Sequence, residues 1–137
     1  MQIARRLKLI NNTEYENVSG GQAIELAARK ADNPTQFLFP HSLAHYRSCN
    51  FSFSGLKSKA IIYISEHERK HNIRGPEIMP DVNNLCAGIL MAYTKHICIR
   101  TQRAMEFLEK NELLPENQKT LVILSTKKIK NLIKFQL

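Results

Sequence analysis

At 137 residues the chain is one domain at most, yet it is long enough to bury a core. A hydrophobic share of 43% against 23% charged residues excludes a disordered polymer. A formal charge of +8 favours a polyanionic partner, nucleic acid first, although no single Lys/Arg block is long and a merely soluble basic surface would also account for it.

Residues 2–10 have Ile3, Leu7 and Ile10 on one side of a short amphipathic helix, with Arg5, Arg6 and Lys8 facing elsewhere. The stretch is too short for a transit peptide, and acidic residues follow at Glu14 and Glu16. Residues 11–18 are polar and loop-like. Ser19-Gly20-Gly21-Gln22 then opens a helix through Ala28, with Ser19 as cap and Gln22 three residues on, the pattern of a capping box. Two glycines in the first turn let a ligand approach the backbone closely. Taken alone, these residues favour a turn needing positive φ. Residues 32–48 hold Pro34, Pro40 and the pair His41 and His45, whose i, i+4 spacing could serve a metal. No acidic third ligand lies within reach, so both are expected to be surface or packing histidines.

Cys49-Asn50-Phe51-Ser52-Phe53-Ser54-Gly55-Leu56-Lys57 is the stretch around which the rest is organised. Phe51 and Phe53 alternate with Ser52 and Ser54, which predicts a short half-buried strand. Ser54 is placed to cap the helix that follows. A hydroxyl, a glycine and a lysine at such a junction, with open N–H groups and the positive end of a helix dipole, make a ready anion site. An ordinary capped helix packed by two phenylalanines is the plainer account of the same residues. That helix should run to about Asn72 with Leu56, Ala60, Tyr63, Ile64 and His67 along one stripe, and His67 and His71 should answer its carbonyl end as cations. Gly75-Pro76 breaks it. A long core helix follows from Asp81, as cap, to about Leu113 along Val82, Leu85, Cys86, Ile89, Tyr93, Ile97, Ala104, Phe107 and Leu108. Lys95, Arg100 and Arg103 lie off that stripe, on a solvated face or against phosphates. Residues 119–124 read as a buried strand, and 125–137 as a tail of alternating lysines and aliphatics.

Cys49, Cys86 and Cys98 are odd in number and far apart, with no zinc pattern and no disulfide framework, which points to a reducing compartment. No apolar run approaches membrane-spanning length, so no membrane association is expected.

Phe51-Ser52-Phe53-Ser54-Gly55-Leu56-Lys57 resembles the signature of the tRNA adenosine threonylcarbamoyltransferase family, once labelled O-sialoglycoprotein endopeptidase or glycoprotease. The flanking segments resemble it in order, and the text from Ile99-Arg100-Thr101 through Leu113-Leu114-Pro115-Glu116-Asn117 is most similar to the mitochondrial branch found in animals. The old peptidase label draws no support, because no His-Glu-x-x-His pattern is present. The resemblance covers nearly all of residues 2–124 but less than half of the family's length. It implies a fragment or truncated isoform, with a partial domain at 1–124, Met1 inside that domain, and a divergent lysine-rich tail at 125–137. After the strand at 119–124 the family has a small-residue loop, two glycines and a nucleotide-contacting asparagine. Here Asn131 falls off register without glycines, and the role is not carried to it.

The resemblance implies a two-lobed α/β fold of the actin/Hsp70/sugar-kinase type, of which this chain would be a mostly α piece with one or two short strands. It implies transfer of threonylcarbamoyl from its adenylate to the exocyclic amine of the tRNA adenosine beside the anticodon. It gives a nucleotide-contacting role to Gly21, with Gly20 beside it, and the anion-holding helix start is Ser54, Gly55 and Lys57. No catalytic residue is identified. The family's divalent metal ion, one per subunit, has its ligands outside this chain's motifs, so the chain alone is expected to be inactive. The implied partners are tRNA, the threonylcarbamoyl-adenylate and a second copy in a homodimer, in the mitochondrion, although no targeting segment is read in the chain. The alternative is a non-catalytic basic helical module that binds RNA or a full-length partner.

Overall fold

A computed structural model describes residues 2–39 and 48–113, and these are helical with no strand among them. Helix α1 spans Gln2–Arg6 and α2 Gly20–Ala28, with two single 3-10 turns between them at Leu9–Asn11 and Thr13–Tyr15. Helix α3 spans Ser54–Lys70 and α4 Val82–Lys110. The core lies where α1 and α2 meet each other and the first half of α4, and α3 leans on α1 and α4.

The first helix is shorter than its apolar spacing predicts. It stops at Arg6 because Lys8 takes a left-handed conformation, φ 59°. Ile3 and Leu7 are buried as expected, but that turn puts Leu9 in the core in place of Ile10, which is exposed. It also brings Lys8 Nζ to 3.3 Å from a Glu68 carboxylate oxygen, beside Arg6, which forms an ion pair with the same carboxylate. Arg6 of α1 and Lys8 just beyond it thus fasten the last turns of α3. Asn12 accepts a hydrogen bond from the Glu14 N–H at 2.9 Å, and the turn this caps buries Tyr15.

Helix α2 starts as its sequence predicts, with Ser19 Oγ accepting from the Gln22 N–H at 3.3 Å. Its buried residues Ala23, Ile24 and Ala27 are mostly small, so its backbone can approach α4 closely. The chain then runs over the start of α4, held by Asn84, which is buried. Asn84 accepts from the Asn33 N–H at 3.0 Å and donates to Gln36 Oε1 at 2.6 Å. The Asn84 amide also holds the Asp32 carboxyl below the usual carboxylate range. Phe37 seats between α3 and α4, edge-on to Tyr63 at 5.3 Å and to His67 at 5.8 Å. Gly88 makes that seat possible. A Cβ there would meet the Phe37 carbonyl oxygen well inside contact distance and the Phe37 Cβ at 3.1 Å.

The expected strand at 51–53 does not form, since the described residues offer it no partner strand. The second expected strand, 119–124, the pair His41 and His45, and the tail 125–137 lie outside the described residues. Helix α3 ends in a Schellman-type turn. Asn72 takes φ 51°, the Ile73 N–H donates to the Glu68 carbonyl at 2.9 Å, and Ile73 packs on the core. Helix α4 has 29 residues and is therefore about 43 Å long. Asp81 precedes it in a left-handed conformation without capping it, and its carboxylate instead accepts from Gln36 Nε2 at 3.3 Å. The predicted apolar stripe holds through Leu85, Cys86 and Ile89, then fails. Ile97 and Phe107 are exposed, and the residues buried in the second half of α4 are His96 and Arg100.

Candidate functional site

The segment 48–53 is held on α4 by side chains one helical turn apart. His96, 3% exposed, accepts from the Ser52 N–H through Nε2 at 3.4 Å, and the Arg100 guanidinium, 1% exposed, donates to the Ser48 carbonyl oxygen. Arg100 therefore does not face phosphates on an open surface. Its charge is spent on backbone at the root of the motif. Phe53 stacks on Tyr93 of α4 with centroids 5.2 Å apart and planes 9° off parallel, and Phe51 follows at 6.3 Å and 23°. The His96 ring meets both phenylalanines edge-on, at 6.0 and 5.4 Å.

Ser54 does not cap α3. Phe53 occupies the cap position with helical backbone angles, and Ser54 is the first helical residue, its hydroxyl paired with that of Ser52 at 2.9 Å. The first intrahelical bond runs from the Lys57 N–H to the Phe53 carbonyl at 2.9 Å. The N–H groups of Ser54, Gly55 and Leu56 thus stand ahead of the helix ladder, with Lys57 in the same turn. An anion at this end would meet backbone donors, a helix dipole and an ammonium group.

Gly20 and Gly21 form the first turn of α2. Gly75 is the glycine with positive φ, so Gly21 is not kept by the turn that the residues alone favour. A Cβ on Gly21 would meet nothing within 4 Å. Neither backbone conformation nor packing accounts for glycine there, and its surroundings are open to a ligand. Among the described residues, no hydrogen bond, ion pair or ring contact joins Gly20 and Gly21 to Ser54, Gly55 and Lys57. The two helix starts sit on separate elements that share α1 and α4 as supports.

The described residues contain no group of three or more His, Cys, Asp or Glu side chains able to hold a metal ion. A divalent ion of the family's kind therefore does not fit the donor set they offer. His67 and His71 stack with centroids 4.4 Å apart at the end of α3. Burial, then the His71 and Lys70 charges, hold the His67 imidazole below its ordinary range against an opposing pull from Asp81. His67 is thus a ring in the Phe37–Tyr63 cluster rather than a cation answering the helix dipole. All three cysteines are free, and burial pushes the Cys86 thiol up to about 12.

Sequence reasoning misses Asn84, Gly88 and His96, which organise this region, and assigns a fourth such residue, Arg100, to a solvated or phosphate-facing side when it is buried. An asparagine and a glycine within the expected apolar stretch of α4 are the only local signals that the first two carry a special task.

Residues 2–134 match the family model described as tRNA N6-adenosine threonylcarbamoyltransferase. The chain is 38% identical over 124 residues to a Drosophila melanogaster protein named as a probable mitochondrial tRNA N6-adenosine threonylcarbamoyltransferase, covering 89% of this chain and 30% of that protein. It is 34% identical over 122 residues to the mitochondrial enzyme of that name from Danio rerio, with the same shares covered. Against the Homo sapiens mitochondrial enzyme it is 34% identical over 121 residues, 88% of this chain and 29% of the relative. The chain thus spans about 30% of the length of the relatives it matches. No solved structure matches it. With the signature at 51–57 seated on α4 and the match running through nearly every described residue, the chain belongs to the tRNA N6-adenosine threonylcarbamoyltransferase family.

Proposed function

We propose that the chain is a segment of a mitochondrial tRNA-modifying acyltransferase, contributing nucleotide contacts at Gly20, Gly21, Ser54, Gly55 and Lys57. The observation that carries this reading is Gly21, a glycine in a family-matched segment with no structural demand on it. In the reaction, the exocyclic amine of the tRNA adenosine attacks the carbonyl carbon of the threonylcarbamoyl group and AMP departs from it. The bare backbone at Gly21 admits the adenine nucleotide of the donor. The N–H groups and ammonium at Ser54–Lys57 hold an anionic oxygen of the substrate. A metal would polarise acyl or phosphoryl oxygens in the full enzyme. The described residues provide it no ligand set, so those of this chain only bind and orient. The segment belongs to the helical part between the lobes of an actin-like two-lobed fold.

By itself the chain does not catalyse the transfer. Losing one preorganised electrostatic contributor costs about a hundred- to a thousandfold in rate, and the metal is one such contributor. Incubation with tRNA and the synthase that makes the adenylate, followed by mass spectrometry of the nucleosides, should show no threonylcarbamoyladenosine. The substitutions corresponding to Gly21→Val and Lys57→Ala should impair a full-length relative. Product formed by this chain alone would refute the dependence on further parts. An unimpaired Gly21→Val relative would remove the glycine from the site.

A second reading is favoured by the charge of +8, which a catalytic role does not require. In it the chain is a non-catalytic basic helical module that binds RNA or a full-length partner. Binding would then be mostly electrostatic and would fall steeply as salt rises.

A further inference from the structure

Phe51 is 50% exposed, yet it is not loose. Its ring is the outer member of a stack that continues through Phe53 to Tyr93 on α4. The backbone beneath it is tied down on both sides, at Ser52 by His96 and at Ser48 by Arg100, two side chains that are almost wholly buried. The fold thus spends two buried polar groups on presenting an apolar ring to solvent. Along the chain the ring is flanked by Asn50 and Ser52, the Ser52 hydroxyl pairing with that of Ser54, while in space it lies against Phe53, itself partly exposed, and the edge of His96. The stretches of sequence that carry the stack hold no acidic residue. Residues 48–65 contain Lys57 and Lys59 and no Asp or Glu, and residues 82–105 of α4 contain Lys95, Arg100 and Arg103 and no Asp or Glu.

We propose that Phe51 is a stacking platform for an unpaired nucleobase of RNA, with the phosphates of the same strand lying on the cationic start of α3 at Lys57. A flat apolar face with polar edges suits a base, whose own edges are polar and whose faces are not. Flanking sequence with lysines and no acidic residue favours a polyanion over a neutral surface. Phe53 and Tyr93 set the tilt of the platform from behind, and His96 fixes the loop from which it projects. This rests on the RNA-directed reading above, but it concerns strand binding and not acyl transfer. It can therefore fail while the nucleotide contacts at Gly21 stand, and hold while they fail.

The test uses the 137-residue chain and a short fluorescently labelled single-stranded RNA, read by anisotropy across a salt series. Phe51→Ala should weaken binding about five- to a hundredfold, the range for loss of one base–aromatic stack, with an unchanged salt slope. Phe51→Trp should restore it. Lys57→Gln should reduce the salt slope with a smaller loss of affinity at low salt. A strand with an abasic position at the stacked nucleotide should lose most of its sensitivity to Phe51→Ala. Because Phe51 is half exposed, its alanine variant should keep the helical circular dichroism of the parent, which is checked first. Equal binding by Phe51→Ala and the parent would overturn the proposal and leave the ring to a protein contact. Undiminished binding of fully paired RNA, or equal competition by free AMP, would also overturn it.

Discussion

Gly88→Ala separates a glycine that the fold needs from one that it does not. In a helix interior, alanine is favoured over glycine by about 1 kcal/mol, so the default expectation is a gain. At Gly88 the added methyl would meet the Phe37 carbonyl oxygen far inside van der Waals contact, with Phe37 Cβ at 3.1 Å and the carbonyl carbon at 3.3 Å. The obstacle is backbone and cannot rotate away. Either α4 and the segment through Phe37 move apart, loosening Phe37 from Tyr63 and His67, or Asn84 gives up its bonds to Asn33 and Gln36. Overpacking costs about 1–3 kcal/mol; against a backbone obstacle the upper part of that range applies, which outweighs the propensity gain and leaves a net loss of about 1–2 kcal/mol. For a chain of this size that is a fall in Tm of about 3–9 °C, read by circular dichroism in the helical band. Gly21→Ala is the control. Its methyl meets nothing within 4 Å and its φ is ordinary, so it should be neutral or stabilising by up to about 1 kcal/mol. A Gly88→Ala protein as stable as the parent would show that the segment through Phe37, which follows α2, yields freely and would refute the reasoning.

Breaking the α1–α3 tie by Glu68→Gln should cost about 1 kcal/mol after allowance for the partial exposure of Arg6, measured by urea unfolding. Arg6, first among its partners, lowers the folded pKa of Glu68, so its contribution is present above the unfolded carboxylate pKa and disappears as pH falls through the folded one; the Gln variant should lose less stability in that acid range. His67 has the opposite sign of charge. Its lowered folded pKa means that stability is full above about pH 6.5 and declines as pH drops below the unfolded value. Its Nδ1 is buried without a partner among the described residues, so His67→Phe should flatten the pH 7 to 5 profile and hold or raise stability at neutral pH; a steeper profile would contradict the assignment. The exposed Met91, Ile97 and Phe107 along α4, with Leu113 just past its end, should make the purified chain bind an apolar dye and self-associate, and a monodisperse monomer with a sharp thermal transition would count against that.

Features whose causes lie within a few residues of each other were legible in the sequence. The Ser19 cap, the helix from the signature to residue 70 and the long helix from 82 to 110 follow from side-chain spacing and local hydrogen bonds. The family was legible for the same reason, because its signature at 51–57 is contiguous. The nucleotide role proposed for Gly21 came from resemblance, and the fold adds only that a Cβ there would meet open space. Alternation at 51–54 looked like a strand, but alternation supplies only one side of a ladder, and no partner strand lies among the described residues. Tertiary structure decided instead that this segment is held by His96 and Arg100, 44 and 52 residues away from the backbone groups they bind. A polar pair at i, i+4 has the same pattern whether it faces water or a buried carbonyl. The same holds for Gly88, whose glycine is required by Phe37, a residue from another part of the chain. Local periodicity determines which residues become helices, and the distant backbone packed against each face determines which of their polar and small residues the fold depends on.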